Sequence, residues 1–154
     1  MKRFLLATAG TSLVEFAIVA PVLIFLVIGT IEVGRYEYFA ILTANAARAG
    51  AQYGAQDLET AYDNAGITSA VLQDGGNLPN WTETGGSITV NQLCAPSGSA
   101  PGTCSTPWGS SPPQNTIYYV QVQVTGVFTS LLNFPGMPNT VPVTSTTTLR
   151  VGDQ

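Results

Sequence analysis

Only a handful of residues in this sequence could do chemistry. Glu15 is the one charged residue between Phe4 and Ile31, inside an otherwise apolar run. Cys94 and Cys104 stand in a stretch rich in proline, glycine and serine, and Asp57, Glu59, Asp63 and Asp74 are spread over a segment of helical character. There is no histidine, which removes the commonest general base and the commonest metal ligand. No carboxylates pair at a recognisable catalytic spacing, and no glycine-rich phosphate loop precedes a helix. The sequence therefore predicts a protein that is not an enzyme and holds no cofactor.

The two thiols lack the partners a zinc site needs, and their spacing is not the C-x-x-C of a redox motif. In an oxidising compartment the simplest reading is a disulfide closing a short loop, contributing about 2–3 kcal/mol; two free thiols are the other reading. The four acids lack the compact spacing of a calcium loop. A solvated acidic face is expected from them, and no metal.

Glu15 draws its interest from its surroundings. From Phe16 to Ile31 nothing charged interrupts the apolar run. A bilayer's hydrocarbon core is crossed by about 20 mostly apolar residues in a helix rising ~1.5 Å per residue. Residues 12–31 meet that length, and lipid obliges them to be helical, since every backbone group must bond internally. An acid at the centre of such a helix costs roughly 2.5–3.5 kcal/mol, so it is usually partnered or functional. A carboxylate simply hydrated at the membrane surface is the plainer reading.

Lys2 and Arg3 precede the run, and positive charge beside a first membrane segment stays cytoplasmic. The remainder of the chain is then expected outside. Three treatments of the N-terminus are compatible with these residues. A conventional signal could be cut after Ala7-Thr8-Ala9, but only Phe4-Leu5-Leu6 would serve as its apolar core; a cut after Ala46 has Glu32, Arg35 and Glu37 in its way. An uncleaved anchor needs only the charges and the run. The third is a cut between Gly10 and Thr11, on the cytoplasmic side, which would leave the membrane helix attached.

The arrangement G|TSLVEF, with two basic residues ahead of Gly10 and a glutamate five positions after it, resembles the processing site of the type IV pilin superfamily. Three further stretches widen the likeness: VEFAIVAPVLIFLVIGTIEVGR, the small-residue segment LTANAARAGAQYGA, and the C-terminal TSTTTLRV. Together they resemble the TadE-like family of minor pseudopilins of the tight-adherence (Flp) pilus system, mainly over the first 55 residues or so. The resemblance implies cleavage after Gly10 by a prepilin peptidase, exposing a free amine at Thr11. It also implies that Glu15 is an assembly carboxylate, pairing with the N-terminal amine of a neighbouring subunit. Thr11 departs from the aromatic first residue of major pilins, which puts methylation of that amine in question.

These features imply a particular set of elements. Residues 1–10 form the leader, 11–34 the transmembrane helix and 35–56 a protruding continuation of it. Pro21 interrupts the run and should kink the helix, either as the bend found in the pilin superfamily or as an ordinary packed membrane proline. Tyr36, Tyr38 and Phe39 suit the aromatic belt at the far interface. Beyond them, Ala46, Gly50 and Gly54, and likewise Ala47, Ala51 and Ala55, recur every four residues and make two smooth ridges. Each glycine costs an isolated helix about 1 kcal/mol, so a packing contact is expected on this face. It is either the chain's own sheet or another subunit's helix.

Residues 57–154 should form the head. Asp57 can cap a shorter helix that carries Leu58, Tyr62, Ala65, Val71 and Leu72 near one face and stops at Gly75-Gly76. Strands are expected over 87–93, over 117–128 and over 141–151, the last threonine-rich and a candidate exposed edge. Between them lie a long loop from Cys94 to Asn115, which contains Trp108, and a turn at Pro135-Gly136. Asn80-Trp81-Thr82 matches a glycosylation acceptor formally, but the pilin-like leader points to a bacterium. The fold class is therefore α+β: a long N-terminal transmembrane helix running into a small periplasmic head of helix plus antiparallel sheet, pilin-like.

The net charge is −4, and removing Lys2 and Arg3, two positive charges, would take it to −6. Such a chain is a poor ligand for nucleic acid, which is bound by neutralising phosphates. The resemblance to TadE-like proteins implies a minor pseudopilin in a bacterial inner membrane, single-pass, with its N-terminus cytoplasmic and its head periplasmic. It would help assemble or prime the pilus or enter the fibre. Its partners would be the prepilin peptidase, other pilins or pseudopilins and pilus assembly proteins. The alternative is an uncleaved, membrane-anchored scaffold that never enters a filament.

Overall fold

The computed structural model describes residues 4–77, 85–96, 98–104, 116–131 and 138–152. Lys2 and Arg3, the tripeptide Asn80-Trp81-Thr82, Trp108 and the Pro135-Gly136 turn lie outside these residues. The chain divides into two compact units, Met1–Glu37 and Tyr38–Gln154. The architecture is α+β, with a long N-terminal apolar helix followed by short helices and a four-stranded antiparallel sheet.

Helix α1 runs Phe4–Gly54 and is continuous through Pro21. The proline has no N–H, so the carbonyl one turn earlier, on Ala17, lacks its usual helical donor; even so, the helix is not interrupted there. Among the described side chains of the first unit, none on α1 is buried. Leu13, Phe16, Ile18 and Phe25 are each at least 64% exposed. Glu32 and Arg35 pair across one turn at 2.8 Å, the spacing at which opposite charges on a helix meet.

In the second unit the remainder of α1 lies against the sheet. The strands are β1 (Ser87–Pro96), β2 (Gly102–Thr103), β3 (Thr116–Thr129) and β4 (Thr140–Arg150), in the order β2-β1-β3-β4. Every neighbouring pair is antiparallel. Strand β3 shows why the sequence alternates: Val120, Val122 and Val124 are fully buried, while Gln121, Gln123 and Thr125 face the other way. On that polar face Asn91, Gln121 and Thr148 are linked side chain to side chain across three strands. The Thr125 and Thr144 hydroxyls are 3.0 Å apart. The threonine-rich β4 is indeed an edge of the sheet.

The expected single second helix is two. Helix α2 (Leu58–Tyr62) ends and α3 (Asn64–Asp74) begins at Asp63, whose φ of −76° and ψ of 75° are not helical. The break resets the helical phase, and with it the buried face. Ala61, Ile67 and Val71 enter the core, whereas Leu58, Tyr62 and Leu72 are 44–49% exposed and Ala65 is exposed as well. The core closes with Phe39 edge-on to Phe128, ring centroids 5.9 Å apart. Its one buried polar side chain among the described residues, Thr43, donates to the Phe39 carbonyl at 2.9 Å.

Candidate functional site

The Gly10–Thr11 peptide bond lies within α1. Gly10, Thr11, Val14 and Glu15 line a shallow, open depression on one side of the helix. Thr11 and Glu15 are one turn apart and share a face. If the chain began at Thr11, its ammonium would stand one turn from a carboxylate. Among the described residues around them, Leu13, Val14 and Phe16 are exposed apolar side chains.

α1 is also long and apolar enough to cross a membrane: the stretch Gly10–Gly54 contains a window of mean hydropathy 2.5, none of it buried by the protein. An apolar surface of this kind, unburied by its own fold, is what lipid or a neighbouring helix covers.

The small-residue ridges are placed quite differently. Ala46, Ala47 and Ala51 have no exposure, and Gly50 and Gly54 are buried. A Cβ on Gly50 would collide with Val71 and stand 3.3 Å from Val122; on Gly54 it would be 2.9 Å from Ile67 and 3.1 Å from Val120. The contact that compensates these glycines is therefore the chain's own sheet and α3. Of the two partners expected for this face, the fold uses the first, and another subunit's helix has no access to it.

Cys94 and Cys104 are joined by a disulfide, with Cα atoms 5.3 Å apart. Cys94 sits in β1 opposite Gly102 of β2. The bond thus staples a two-residue strand to the sheet, in addition to closing a loop. Among the described residues no group of three or more histidine, cysteine or acidic side chains is placed to hold a metal ion.

Two of the four acids do more than solvate a surface. Asp57 caps α2, accepting from the Thr60 amide at 2.7 Å, while the Asp57 amide donates to the Thr60 hydroxyl at 3.1 Å. Asp63 caps α3, accepting from the Gly66 amide at 2.9 Å and from the Tyr53 hydroxyl at 2.9 Å. These bonds favour the charged carboxylates. The Thr60 amide holds Asp57 below its ordinary value, and the Gly66 amide, then the Tyr53 hydroxyl, do the same for Asp63. Donating to Asp63 pushes the Tyr53 hydroxyl above its ordinary value. A Cβ on Gly66 would strike both Asp63 and Tyr53. The sequence signal for Asp57 was a capping residue before an apolar run; for Asp63 it was an unremarked D-x-x-G inside what reads as one helix.

A family model for TadE-like proteins matches residues 10–52. The match begins at Gly10 and takes in Glu15, Pro21 and most of the small-residue ridges. No curated protein and no solved structure matches the chain.

Proposed function

Since the chain is TadE-like over residues 10–52 and so associated with the tight-adherence pilus system, we propose that it is a minor pseudopilin, cut between Gly10 and Thr11 by a prepilin peptidase. It stands in a bacterial inner membrane with its N-terminus in the cytoplasm and its disulfide-containing head in the periplasm. The role is structural. The carrying observation is that one matched segment unites the leader-type junction, the acid after it and an apolar helix that the fold itself does not bury.

Positive charge at Lys2 and Arg3 supports the orientation. A head containing a disulfide supports an oxidising compartment. Glu15 serves assembly: removing one partner of a buried ion pair costs about 3–5 kcal/mol, so subunits that satisfy the pair are selected over those that do not. Other pilins or pseudopilins, and the pilus assembly proteins, are the partners. The test is the mature N-terminus in the native cell, with and without the peptidase. Intact mass should show a chain beginning at Thr11 only when the peptidase is present. Met1 retained in both cells would replace this reading with an uncleaved anchor for a scaffold.

A further inference from the structure

The last described residues tie two elements together. The amide of Val151 donates to the Tyr118 carbonyl in β3, and the next amide, of Gly152, donates to the Ala55 carbonyl just past the end of α1, both at 2.9 Å. Val151 is buried in the core at 2% exposure, which fixes the direction of the following residue. Gly152 has no room for a side chain: a Cβ would lie 2.8 Å from the backbone oxygen of Gln56 and 3.7 Å from that of Ala55.

The last carbonyls of a helix have no partner within it. Here one just beyond the final turn is satisfied by a residue about a hundred positions away in sequence. The same turn also carries the Tyr53 hydroxyl that donates to Asp63, which accepts in addition from the Gly66 amide.

We infer that Val151 and Gly152 form a clamp that fastens the end of α1 to the sheet, a link distinct from the general packing of the helix on the core. The clamp stands on the fold alone and does not depend on the pilus reading. Two adjacent amides thus join β3 to the end of α1, in addition to the buried packing of Ala46, Ala47 and Ala51. A local link of this kind opens separately from the sheet.

The experiment is amide hydrogen exchange on the full chain in detergent micelles. Gly152→Ala places a Cβ against the Gln56 carbonyl, and Gly152→Pro deletes the donor itself. In both variants the amides of residues 53–56 should exchange about tenfold faster, the effect of losing one hydrogen bond that holds a local unit closed. Val120, Val122 and Val124 should keep their protection. Unchanged exchange at 53–56 in both variants overturns the clamp. So does equal acceleration of helix end and sheet, since that would make the contact one more part of a single cooperative core. The measurement involves neither peptidase nor pilus, so its failure would leave the test at Thr11 unaffected.

Discussion

Along residues 10–37, α1 carries leucine, isoleucine, valine and phenylalanine side chains that are at least half exposed almost throughout. Past Phe39 and Thr43, which are buried in the core, the stretch from Ala46 to Gly54 carries alanine and glycine at the positions that face inward, and these are buried. The larger side chains are thus on the stretch the protein leaves open, and the smallest on the stretch it covers. In water this would be inverted. It makes sense when the first stretch has lipid for its solvent, where bulky apolar groups lose nothing by facing outward. The second stretch brings its backbone close to the sheet and α3 at Gly50 and Gly54, where a larger side chain would hold it off. One helix is thereby matched to two environments, by side-chain volume more than by hydrophobicity.

The strongest way to break this comparison is at Glu15, where the outward-facing stretch departs from its own pattern. If that acid is a specific partner, Glu15→Ala should leave cleavage after Gly10 intact and abolish piliation, scored by electron microscopy of complemented cells. If it is merely hydrated, the same change makes the segment more apolar and piliation stays normal. Normal piliation would remove the one role that distinguishes residues 10–37 from an inert anchor.

A paired substitution sharpens the contrast next. Gly50→Leu forces a side chain into Val71 and Val122, and overpacking a core costs about 1–3 kcal/mol, occasionally more. For a head of this size that is a drop in Tm of roughly 5–20 °C. Gly29 has nothing within 4 Å of where its Cβ would be, so Gly29→Leu should leave the melting of the head unchanged and the protein in the membrane. Equal effects at the two glycines, read by thermal melting of the detergent-solubilised chain, would show that side-chain volume does not separate the stretches.

Most of this fold could be read from the sequence because the strongest signals are periodic and local. The apolar run sets the membrane-type helix, and four-residue intervals of alanine and glycine mark a close contact without naming its partner. Alternation in residues 117–128 gives β3 and its buried valines to within a residue at each end. What was hidden depends on contacts between distant parts. The two-residue β2 exists only because Leu93 and Cys94 have Thr103 and Gly102 opposite them, and no propensity predicts a strand so short. The break at Asp63 was masked because Asn64, Ala65 and Gly66 can continue a helical pattern as easily as restart one. The preference is decided by the carboxylate bonding to the Gly66 amide and the Tyr53 hydroxyl. The use of Gly152 could not be foreseen at all, since its partner is the end of a helix about two thirds of the chain away.

The smallest expected effect concerns pH, and it bears on the covered stretch alone. Asp57 and Asp63 have folded-state values below their ordinary ones. A depressed carboxylate contributes stability that is present above its unfolded value, about 4, and lost as pH falls through its folded value. Tyr53 runs in the opposite sense: its raised hydroxyl contributes below its ordinary value, near 10, and that contribution goes as pH rises through the folded value. The junction of α1 with α2 and α3 should therefore hold from about pH 4 to pH 10 and weaken outside it. All three groups lie at the surface, so the change in Tm will be small. Asp63→Asn should weaken the alkaline limb and reduce the acid limb to the share of Asp57, because the amide keeps a hydrogen-bond acceptor but removes the charge that bonds the Gly66 amide and raises Tyr53. Residues 10–37 supply none of these interactions. Circular dichroism of the head against pH should then be insensitive to Glu15→Ala and sensitive to Asp63→Asn; the reverse order would mean that the two stretches of α1 melt as one.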